Sequence, residues 1–560
     1  MKNKKKILII GGIAAGTSAA AKCRRKDEEV EIMIYEKDKY ISYGTCGLPY
    51  YVSGKIKNIN KLLVNTSENF SKRFNIDVKI SHEVLKIMPE DRKILARDLK
   101  SGKEFEDDYD ELIVTTGSVP IKIRMEGYES ENVFVLKTIK DGLKIKKYIN
   151  ENHRQGQGRR KAVIIGGGFI GLELIEAFLE NDFDISLIEK TDQLLPVFDR
   201  EIIDYLEKYL KDSGVDIFKE EEASRLITGK DGKVSAVETA GGRILDADLV
   251  FFGIGTRPEI SLAADCGIEI GKSGAIAVDD NMRTSINGIF AAGDCCECRN
   301  MISGIDRSFN LASIANRQGR TAGYNAAGGN ERFKGSIVAS IIKVLDIAIG
   351  KTGLSLKEAK MLGYKAGCIE LHYGSHAEYY PGSEMMHCLV IYEKDSGKLL
   401  GFQAIGKDGI DKRVDVISIA LRAGMGLEDL GDLDLSYQPA YGSARDAVNI
   451  LGLIGENIKK DEVIFIDIPE MREKIAAGDN MVILDVRTKK EFAAGHIDGA
   501  MLIPIDDLRK NLDRLDRQGE IIIYCETGYR AYLGLRILKN LGFSDIRLLN
   551  GSYLSWTRKV

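Results

Sequence analysis

The stretch that decides the fold is "AVIIGGGFIGLELIEAFLENDFDISLIE", residues 162–189. An apolar run ends in a turn that contains Gly166, Gly168 and Gly171, a helical segment follows, and a second apolar run ends in Glu189. Glycines at this spacing bring the amide groups of a helix N-terminus against a diphosphate. An acidic residue about twenty positions further on can bind ribose hydroxyls. The stretch therefore predicts a βαβ unit that binds a dinucleotide.

The start of the chain repeats this pattern less completely. "KKKILIIGGIAAGTSAAAKCRRK", residues 4–26, precedes a second apolar run that ends in Glu36. Gly11 and Gly16 hold the outer glycine positions, whereas Ile13 stands at the middle one. Two such units in one chain predict two bound dinucleotides, one of which can be a flavin.

Further apolar runs end in glycine turns and support this interpretation. They are "LIVTTGSVP" (112–120), "LVFFGIGTRPE" (249–259) and "INGIFAAGDCCE" (286–297). The third run leads into Gly293 and Asp294, where a carboxylate can bind a ribityl or ribose hydroxyl.

Length and composition limit the classes of function. A chain of 560 residues is too long for one core, so several domains are expected. A net charge of −4 provides no field that attracts nucleic acid or an anionic membrane, and no apolar run approaches the ~20 residues of a membrane span. The nine cysteines are irregularly spaced, unlike a secreted disulfide framework. These features predict a cytoplasmic protein with reduced thiols.

One cysteine stands out. Cys46 lies in "SYGTCGLPYY", residues 42–51, and the next cysteine along the chain is Cys266. Cys46 therefore has no local disulfide partner, and a redox role requires a small-molecule sulfur or a distant residue.

Taken in order, the segments of residues 1–450 resemble the pyridine nucleotide-disulfide oxidoreductase family. The resemblance implies an α/β fold with a discontinuous FAD domain (1–112 and 246–325), a NAD(P)H domain (113–245) and an α+β dimerisation domain (326–450), hence a homodimer. NADH is favoured because Glu189 repels a 2′-phosphate, although NADPH stays possible. The residues that the resemblance assigns to cofactor binding are Gly11, Gly12, Ala14, Ala15, Gly16, Glu36, Lys37, Thr116, Gly117, Gly166, Gly168, Phe169, Ile170, Gly171, Glu173, Glu189, Gly255, Gly293, Asp294 and Ala312.

The lone Cys46 resembles the single-cysteine branch of that family, which includes coenzyme A-disulfide reductases, NADH oxidases and NADH peroxidases. Oxidase and peroxidase members carry a histidine in the first glycine turn, where this chain has Ala14 and Ala15. A helix face with Ser18, Lys22 and Arg25 follows at one-turn spacing. This face either holds the phosphates of coenzyme A or is simply solvated.

Two later segments resemble the coenzyme A-disulfide reductase pattern. They are "HYGSHAEYYPGS" (372–383) and "LSYQPAYGSARD" (435–446). The resemblance implies that Tyr379 and Tyr437 reach Cys46 of the other subunit and protonate or stabilise a leaving thiolate; the alternative is interface packing. Coenzyme A is then a bound substrate or a prosthetic thiol. Further substrate-binding residues implied in this way are Ser42, Thr45, Arg73, Asn316 and Arg445.

After a charged linker at 451–461, residues 462–560 resemble the rhodanese family. The stretch "EIIIYCETGYRAYLGLRILKNLGF" places Cys525 between a strand and a helix, and Arg530 adds a positive charge. Amide groups in such a loop lower the pKa of a thiol, and the resemblance implies that Cys525 carries a persulfide. The cysteines of "DCCEC" (294–298) are too crowded for a tetrahedral metal site, so no metal is expected.

The full layout resembles the fusions of coenzyme A-disulfide reductase with rhodanese. We therefore expect an FAD-dependent NAD(P)H oxidoreductase that reduces coenzyme A disulfide, coenzyme A persulfide or polysulfide through Cys46, while Cys525 carries sulfur. Two alternatives are an NADH oxidase or peroxidase, in which Cys46 cycles through a sulfenic acid, and a redox-sensing binding protein.

Overall fold

The computed structural model describes residues 4–151 and 159–558. The chain divides into two compact units. The first comprises residues 1–194 and 214–336, and the second comprises residues 195–213 and 337–560.

The helices and strands follow one another in chain order. Up to residue 151 they are β1 (Lys6–Ile10), α1 (Ala14–Lys26), β2 (Glu31–Glu36), α2 (Leu48–Ser53), α3 (Ser67–Phe74), β3 (Asp77–Ile80), β4 (His82–Met88), β5 (Lys93–Asp98), β6 (Glu104–Asp108), β7 (Glu111–Val114), β8 (Ser118–Pro120), β9 (Val133–Phe134) and α4 (Ile139–Glu151). Up to residue 336 they are β10 (Arg160–Ile165), α5 (Phe169–Leu179), β11 (Phe183–Glu189), α6 (Arg200–Asp212), β12 (Val215–Lys219), β13 (Ala223–Thr228), β14 (Val234–Thr239), β15 (Ile244–Asp246), β16 (Leu249–Phe252), β17 (Thr256–Pro258), α7 (Ser261–Asp265), β18 (Ile289–Ala291), β19 (Cys298–Arg299), β20 (Asp306–Arg307) and α8 (Ala312–Ala326).

The remaining elements belong to the second unit. They are β21 (Ser340–Val344), β22 (Ile347–Gly353), α9 (Leu356–Met361), β23 (Ala366–Gly374), β24 (Met385–Glu393), β25 (Leu399–Gly406), α10 (Ile410–Ala423), α11 (Ala447–Lys459), β26 (Phe465–Ile466), α12 (Ile468–Ala477), β27 (Met481–Asp485), α13 (Lys489–Ala494), β28 (Met501–Leu502), β29 (Glu520–Tyr524), α14 (Tyr529–Asn540), β30 (Ile546–Leu549) and α15 (Ser552–Arg558). Short 3-10 helices lie at Thr45–Gly47, Ile59–Leu62, Glu428–Asp432, Ile505–Lys510 and Leu512–Arg514.

Two parallel five-stranded sheets organise the first unit. Their strand orders are β3-β2-β1-β7-β18 and β12-β11-β10-β16-β9. Each glycine turn therefore follows the central strand of its own sheet, and the strand that ends in the acidic residue lies next to it. After the basic residues at their starts, these central strands are apolar, because helices and loops cover both faces of a parallel sheet.

The expected start of the second FAD-domain segment, residue 246, is a few residues too early. Strand β16 pairs in parallel with β10, with Leu249 opposite Ala162, and so belongs to the second sheet. The chain passes from one sheet to the other along β8 and β17, which form an antiparallel ribbon. The strand "LVFF" is equally apolar for either sheet, so its sequence could not assign it.

The second unit contains an antiparallel sheet in the order β21-β22-β25-β24-β23 and a parallel sheet in the order β26-β30-β29-β27-β28. The expected linker at 451–461 is mostly helical, because α11 runs through most of it from Ala447 to Lys459. Asp446 caps this helix, and Leu451 is fully buried. The charged residues that suggested a linker are the solvated face of an amphipathic helix.

The expected fold class is confirmed. Two dinucleotide-type α/β domains precede a mixed α/β segment and a final parallel α/β domain. Within residues 4–151 and 159–558, no helix is at once long and apolar enough to cross a lipid bilayer.

Candidate active site

The two glycine turns are built alike. Gly11 has a left-handed φ of 103°, and a side chain there would clash with the Thr115 carbonyl. Gly166 has a φ of 105°, and a Cβ there would lie 2.7 Å from the Gly253 backbone. Glycine alone meets both conditions without strain, so the two positions have the same structural role.

The acidic residue of each unit closes its turn. Glu36 Oε2 accepts a hydrogen bond from the Gly12 amide at 2.8 Å, and Glu189 Oε2 accepts one from the Gly167 amide at 2.7 Å. Burial raises the pKa of Glu36. The two turns therefore share the same hydrogen bond from a glycine amide to a carboxylate, although Ile13 replaces the middle glycine in the first turn.

The amide groups of both helix starts face these turns without a side-chain cap. Ile13 precedes α1 and Gly168 precedes α5, and neither makes a capping hydrogen bond through its side chain. The N–H groups of a first helical turn have no partner within the helix, which suits a diphosphate. The residues present thus fit FAD at the first turn and NAD(P)H at the second.

Most of the other expected flavin-side residues lie in loops of the same unit, whereas Ala312 begins α8. Gly117, Gly255 and Gly293 all have left-handed backbones, with φ of 73°, 99° and 89°. The Asp294 carboxylate accepts a hydrogen bond from Ser118 at 2.9 Å and lies 3.3 Å from the Lys137 ammonium. Thr116 donates to a backbone carbonyl, whereas Lys37 and Ala312 are exposed.

Lys137 and Ser118 are site residues that the sequence did not reveal. The Lys137 Nζ donates to Ser118 Oγ at 2.7 Å as well as approaching Asp294. These residues are up to 176 positions apart in the chain, and no motif links them.

Cys46 lies in the short 3-10 helix Thr45–Gly47 and is exposed. Desolvation by surrounding protein atoms nevertheless raises the pKa of its thiol, and the Glu173 carboxylate adds to this, while Lys137 opposes it. The glycines on either side differ. A Cβ at Gly44 would meet nothing closer than 3.9 Å, whereas one at Gly47 would clash with Leu62. Space is therefore open beside Gly44 and closed beside Gly47.

Ser42 ties the cysteine loop to the first glycine turn. Its amide donates to the Gly12 carbonyl at 2.8 Å, and its own carbonyl accepts from Val64 at 2.7 Å. Ser42 has a φ of 49°, a conformation that is uncommon for residues other than glycine. The predicted substrate residues Ser42 and Thr45 thus share one loop with Cys46.

The carboxyl group of Glu173 on α5 has a raised pKa. Burial raises the pKa of its carboxyl group to about 7. Near neutral pH this group can therefore hold or release a proton, and its charge affects Cys46. A perturbed carboxyl group beside a candidate nucleophile is typical of functional sites.

The predicted coenzyme A face is partly assembled. Ser18 Oγ donates to Asn316 Oδ1 at 2.6 Å, which joins two predicted substrate residues from α1 and α8. The Lys22 ammonium lies 4.7 Å from the ring centre of Tyr324, also on α8. Arg25 is exposed on α1, and Arg73 is exposed on the separate helix α3.

In the second unit the two predicted tyrosines meet directly. The Tyr379 and Tyr437 hydroxyl groups lie 2.8 Å apart, and both side chains are exposed. The hydrogen bond between the two hydroxyl groups raises the pKa of Tyr379. Arg445 is exposed on the same loop as Tyr437, and its carbonyl accepts a hydrogen bond from Tyr373 at 2.8 Å.

Cys525 occupies a very different position from Cys46. It follows the buried strand β29 directly and is 1% exposed, and its sulfur accepts a hydrogen bond from the Gly528 amide at 3.1 Å. Its carbonyl accepts from the Tyr553 amide at 3.0 Å. Ser552, which follows Gly551 at the start of α15, has a left-handed backbone with a φ of 54°.

Carboxylates accompany both arginines near this loop. Arg530 binds Glu491 through two hydrogen bonds of 2.9 and 2.6 Å, and this lowers the pKa of Glu491 to about 2. Buried Arg487 binds Asp485 and donates to Glu526 at 3.0 Å. Glu491 and Glu526 are further site residues that the sequence did not reveal, because "KKEF" and "CETG" look like ordinary polar turns.

A buried polar cluster lies elsewhere in the second unit. Ligand atoms of Glu370, His372 and His387 lie within 4.8 Å of one another. The Ser555 hydroxyl donates to Glu370 at 2.7 Å and lies 2.8 Å from His372 Nε2, and His387 Nε2 lies 3.1 Å from Glu370. The cluster thus joins α15 to β23 and β24 by hydrogen bonds.

The thiols of "DCCEC" do not resemble metal ligands. Cys295, Cys296 and Cys298 are buried, and burial raises the pKa of each, to about 12 for Cys298. A metal ligand must be a thiolate, which such surroundings disfavour.

Comparison with protein families assigns most of the chain. Residues 5–319 match the model described as pyridine nucleotide-disulphide oxidoreductase, and residues 339–448 match the dimerisation domain of the same family. Residues 467–559 match the rhodanese-like domain.

Individual proteins agree with this assignment. An NADH oxidase of Methanocaldococcus jannaschii is 33% identical over 79% of this chain and 97% of its own. An NAD(P)H coenzyme A polysulfide/persulfide reductase of Pyrococcus horikoshii is 33% identical over 80% of this chain and 98% of its own. The crystal structure of reduced Bacillus anthracis CoADR-RHD is 35% identical, covers 99% of this chain and 98% of its own, and superposes with a TM-score of 0.95. The chain belongs to the pyridine nucleotide-disulphide oxidoreductase family and carries a C-terminal rhodanese-like domain.

Proposed function

We propose that the protein is an NAD(P)H-dependent reductase of coenzyme A disulfide, coenzyme A persulfide or polysulfide, and that it works as a homodimer. The observation that carries the proposal is the exposed thiol of Cys46, which its loop attaches through Ser42 to the first glycine turn. Cys266 lies 220 residues further along the chain, and Cys23, which precedes Cys46, is buried with its thiol bonded to the Gly323 carbonyl, so the Cys46 thiol is suited to a mixed disulfide with a substrate. The relative from Pyrococcus horikoshii and the full-length match to CoADR-RHD support this substrate class.

The cofactors are FAD at the turn of Gly11 and NADH at the turn of Gly166. Bound FAD supplies two-electron transfer between the nicotinamide and sulfur. The Glu189 carboxylate favours NADH because it repels a 2′-phosphate. Lys190 offers little compensation to that phosphate, because its ammonium pairs with Glu222 at 2.9 Å.

With coenzyme A disulfide, the Cys46 thiolate attacks one sulfur, forms a Cys46–coenzyme A disulfide and releases one coenzyme A thiolate. The Tyr379–Tyr437 pair of the partner subunit gives that thiolate a proton. Two electrons and a proton that derive from NADH then cleave the mixed disulfide and restore Cys46. Glu173 holds a proton near the thiol at neutral pH, and Ser18, Lys22 and Asn316 hold the coenzyme A portion.

The rhodanese-like domain carries sulfur as a Cys525 persulfide. The Gly528 amide and Arg530 stabilise negative charge on that sulfur. A sulfur atom from a coenzyme A persulfide is released as sulfide after attack by Cys46 and reduction. The proposed setting is the cytoplasm, which keeps such thiols reduced.

A second candidate is an NADH oxidase, which the relative from Methanocaldococcus jannaschii favours. In that reaction Cys46 cycles through a sulfenic acid, and oxygen replaces the sulfur substrate. Ala14 and Ala15 in the first turn provide no acid or base for oxygen chemistry. NADH-dependent oxygen uptake without any thiol substrate, faster than coenzyme A disulfide reduction, would establish this alternative.

Intact mass spectrometry under denaturing, non-reducing conditions tests the proposal. The protein is incubated with coenzyme A disulfide and compared with Cys46→Ser and with Cys266→Ser, a matched control at another cysteine that is not fully buried. We expect an adduct of coenzyme A mass on the wild type and on Cys266→Ser that reductant removes. An adduct that persists in Cys46→Ser, or a wild type that gains only oxygen, contradicts the proposal.

A further inference from the structure

One buried ion pair lies at the base of the loops that carry Tyr379 and Tyr437. Arg413 on α10 is 2% exposed, and its guanidinium binds the Asp446 carboxylate twice, through Nε at 3.1 Å and Nη2 at 2.6 Å. Asp446 ends the loop 433–446, which contains Tyr437, and caps α11 by accepting a hydrogen bond from Val448. The ion pair therefore fixes one end of the Tyr437 loop.

The same guanidinium holds the start of the other loop. Arg413 Nη2 donates to the Ser375 carbonyl at 2.8 Å, directly after strand β23. Ser375 in turn pairs with Glu384 across the loop 375–384, which contains Tyr379. Arg413 Nη1 donates to the Gly409 carbonyl at 3.1 Å, and a side chain at Gly409 would clash with that nitrogen. The Arg413 guanidinium is therefore surrounded by its three partners, the Asp446 carboxylate and the carbonyls of Ser375 and Gly409.

The two loops also touch at their tips. The Ala377 amide donates to the Gly442 carbonyl at 3.1 Å, and the two tyrosine hydroxyls lie 2.8 Å apart. Both tyrosine side chains are otherwise exposed, at 75% and 49%, so packing does little to fix them. The relative position of the two tyrosines therefore depends on the backbones of the two loops. Arg413 binds the Ser375 carbonyl in one loop and the carboxylate of Asp446, which ends the other loop.

We propose that Arg413 is a positioning residue that holds the Tyr379–Tyr437 hydroxyl pair in register through Asp446 and Ser375. This inference rests on the proposed function, in which the pair protonates a leaving coenzyme A thiolate. Lysine cannot replace arginine here, because its ammonium lacks the planar fork that binds Asp446 and Ser375 together.

A mutant cycle on the dimeric holoenzyme tests the inference. The variants are Arg413→Lys, the pair Tyr379→Phe/Tyr437→Phe, and all three changes together. We expect the two phenylalanines to lower kcat for coenzyme A disulfide about 100-fold, within the range of a lost general acid. We expect Arg413→Lys to lower kcat about 10-fold with little change in KM, and to add nothing to the double phenylalanine variant.

Two further readouts separate positioning from damage to the fold. NADH-dependent reduction of ferricyanide needs no thiol substrate and should stay within about twofold of wild type in Arg413→Lys. The alkaline limb of kcat should move to lower pH in Arg413→Lys, because the hydrogen bond between Tyr379 and Tyr437, which raises the pKa of Tyr379, is loosened. Arg547→Lys is the matched control, since Arg547 pairs with Glu470 and Glu520 in the rhodanese-like domain.

The outcomes of the cycle are distinguishable. If Arg413→Lys slows the double phenylalanine variant as much as it slows wild type, the positioning inference is overturned while the proposed function stands. If the double phenylalanine variant is fully active, the proton-donor role of the tyrosines fails, and the inference fails with it. Should Arg413→Lys not fold, Asp446→Asn replaces it in the same cycle, because the amide oxygen retains the cap of α11.

Discussion

Cys46 and Cys525 are both isolated thiols, yet their surroundings are opposite. Cys525 is 1% exposed at the end of a central strand, and the amide of Gly528, three residues later, binds its sulfur. Cys46 is exposed, and the charges that act on it come from Glu173, Lys137 and Asp294, all distant in sequence. A thiol that carries one sulfur atom can be supported by its own loop, whereas a thiol that must meet a large substrate has to leave its loop open.

The largest expected effect separates the two thiols by function. Cys46→Ser should lower NADH-dependent reduction of coenzyme A disulfide about 1,000-fold or more, because no other group replaces the nucleophile. Sulfur transfer through Cys525 should stay within about twofold, and Cys525→Ser should show the reverse pattern. Steady-state assays of both reactions on both variants are the measurement. Loss of both activities in either variant would show that both thiols take part in the same reaction.

The next effect tests whether the Glu173 carboxyl group near Cys46 holds a proton at neutral pH. The pKa of Glu173 is raised to about 7 from its ordinary value of 4.5, so its contribution to stability is full below pH 4.5 and is lost as pH rises through 7. Against Glu173→Gln, wild type should lose roughly 3 kcal/mol of folding free energy across that interval. Thermal unfolding midpoints of both proteins at pH 5 and pH 8 provide the comparison. A difference that does not change with pH would remove Glu173 from this role.

A smaller effect tests the local support of Cys525. Arg530→Lys should lower the rate of sulfur transfer about 10-fold, because lysine cannot keep both bonds to Glu491 and still stay beside the sulfur. Arg536→Lys is the matched control further along α14, where the arginine pairs with Glu462. Rates measured with a persulfide donor should be unchanged in the control. Equal rates in all three proteins would mean that loop amides alone support Cys525.

The smallest effect concerns the α1 face that carries Ser18 and Lys22. Lys22→Met should raise KM for coenzyme A disulfide about fivefold, the range expected for one exposed charge, with kcat preserved. The effect should shrink at high salt, since exposed charge interactions are screened. Lys79→Met is the control, because Lys79 also lies over an aromatic ring, that of Phe105, at 4.9 Å. An unchanged KM would mean that the α1 face is merely solvated.

The same contrast explains how much the sequence could predict. The Cys525 loop and the two glycine turns are short stretches of sequence, and each acidic residue ends the strand that follows its turn, so local spacing was enough to predict them. Lys137 beside Asp294 and Glu491 beside Arg530 are products of tertiary packing, which no local pattern encodes. The limits of the domains also depend on tertiary packing. Strand β16 fits either sheet by its apolarity, and the predicted linker is the polar face of α11.

The cluster of Glu370, His372 and Ser555 has a consequence for dividing this chain into parts. The last helix buries a hydroxyl against a carboxylate that belongs to the antiparallel sheet, and Asn550 accepts a hydrogen bond of 2.9 Å from the Glu370 amide. A chain divided within α11 would give two polypeptides. Each would expose polar groups that hydrogen-bond to the other part in the intact chain. The two parts should therefore associate when they are co-expressed. The N-terminal part produced alone would need substitutions on the face of the antiparallel sheet that contacts α15.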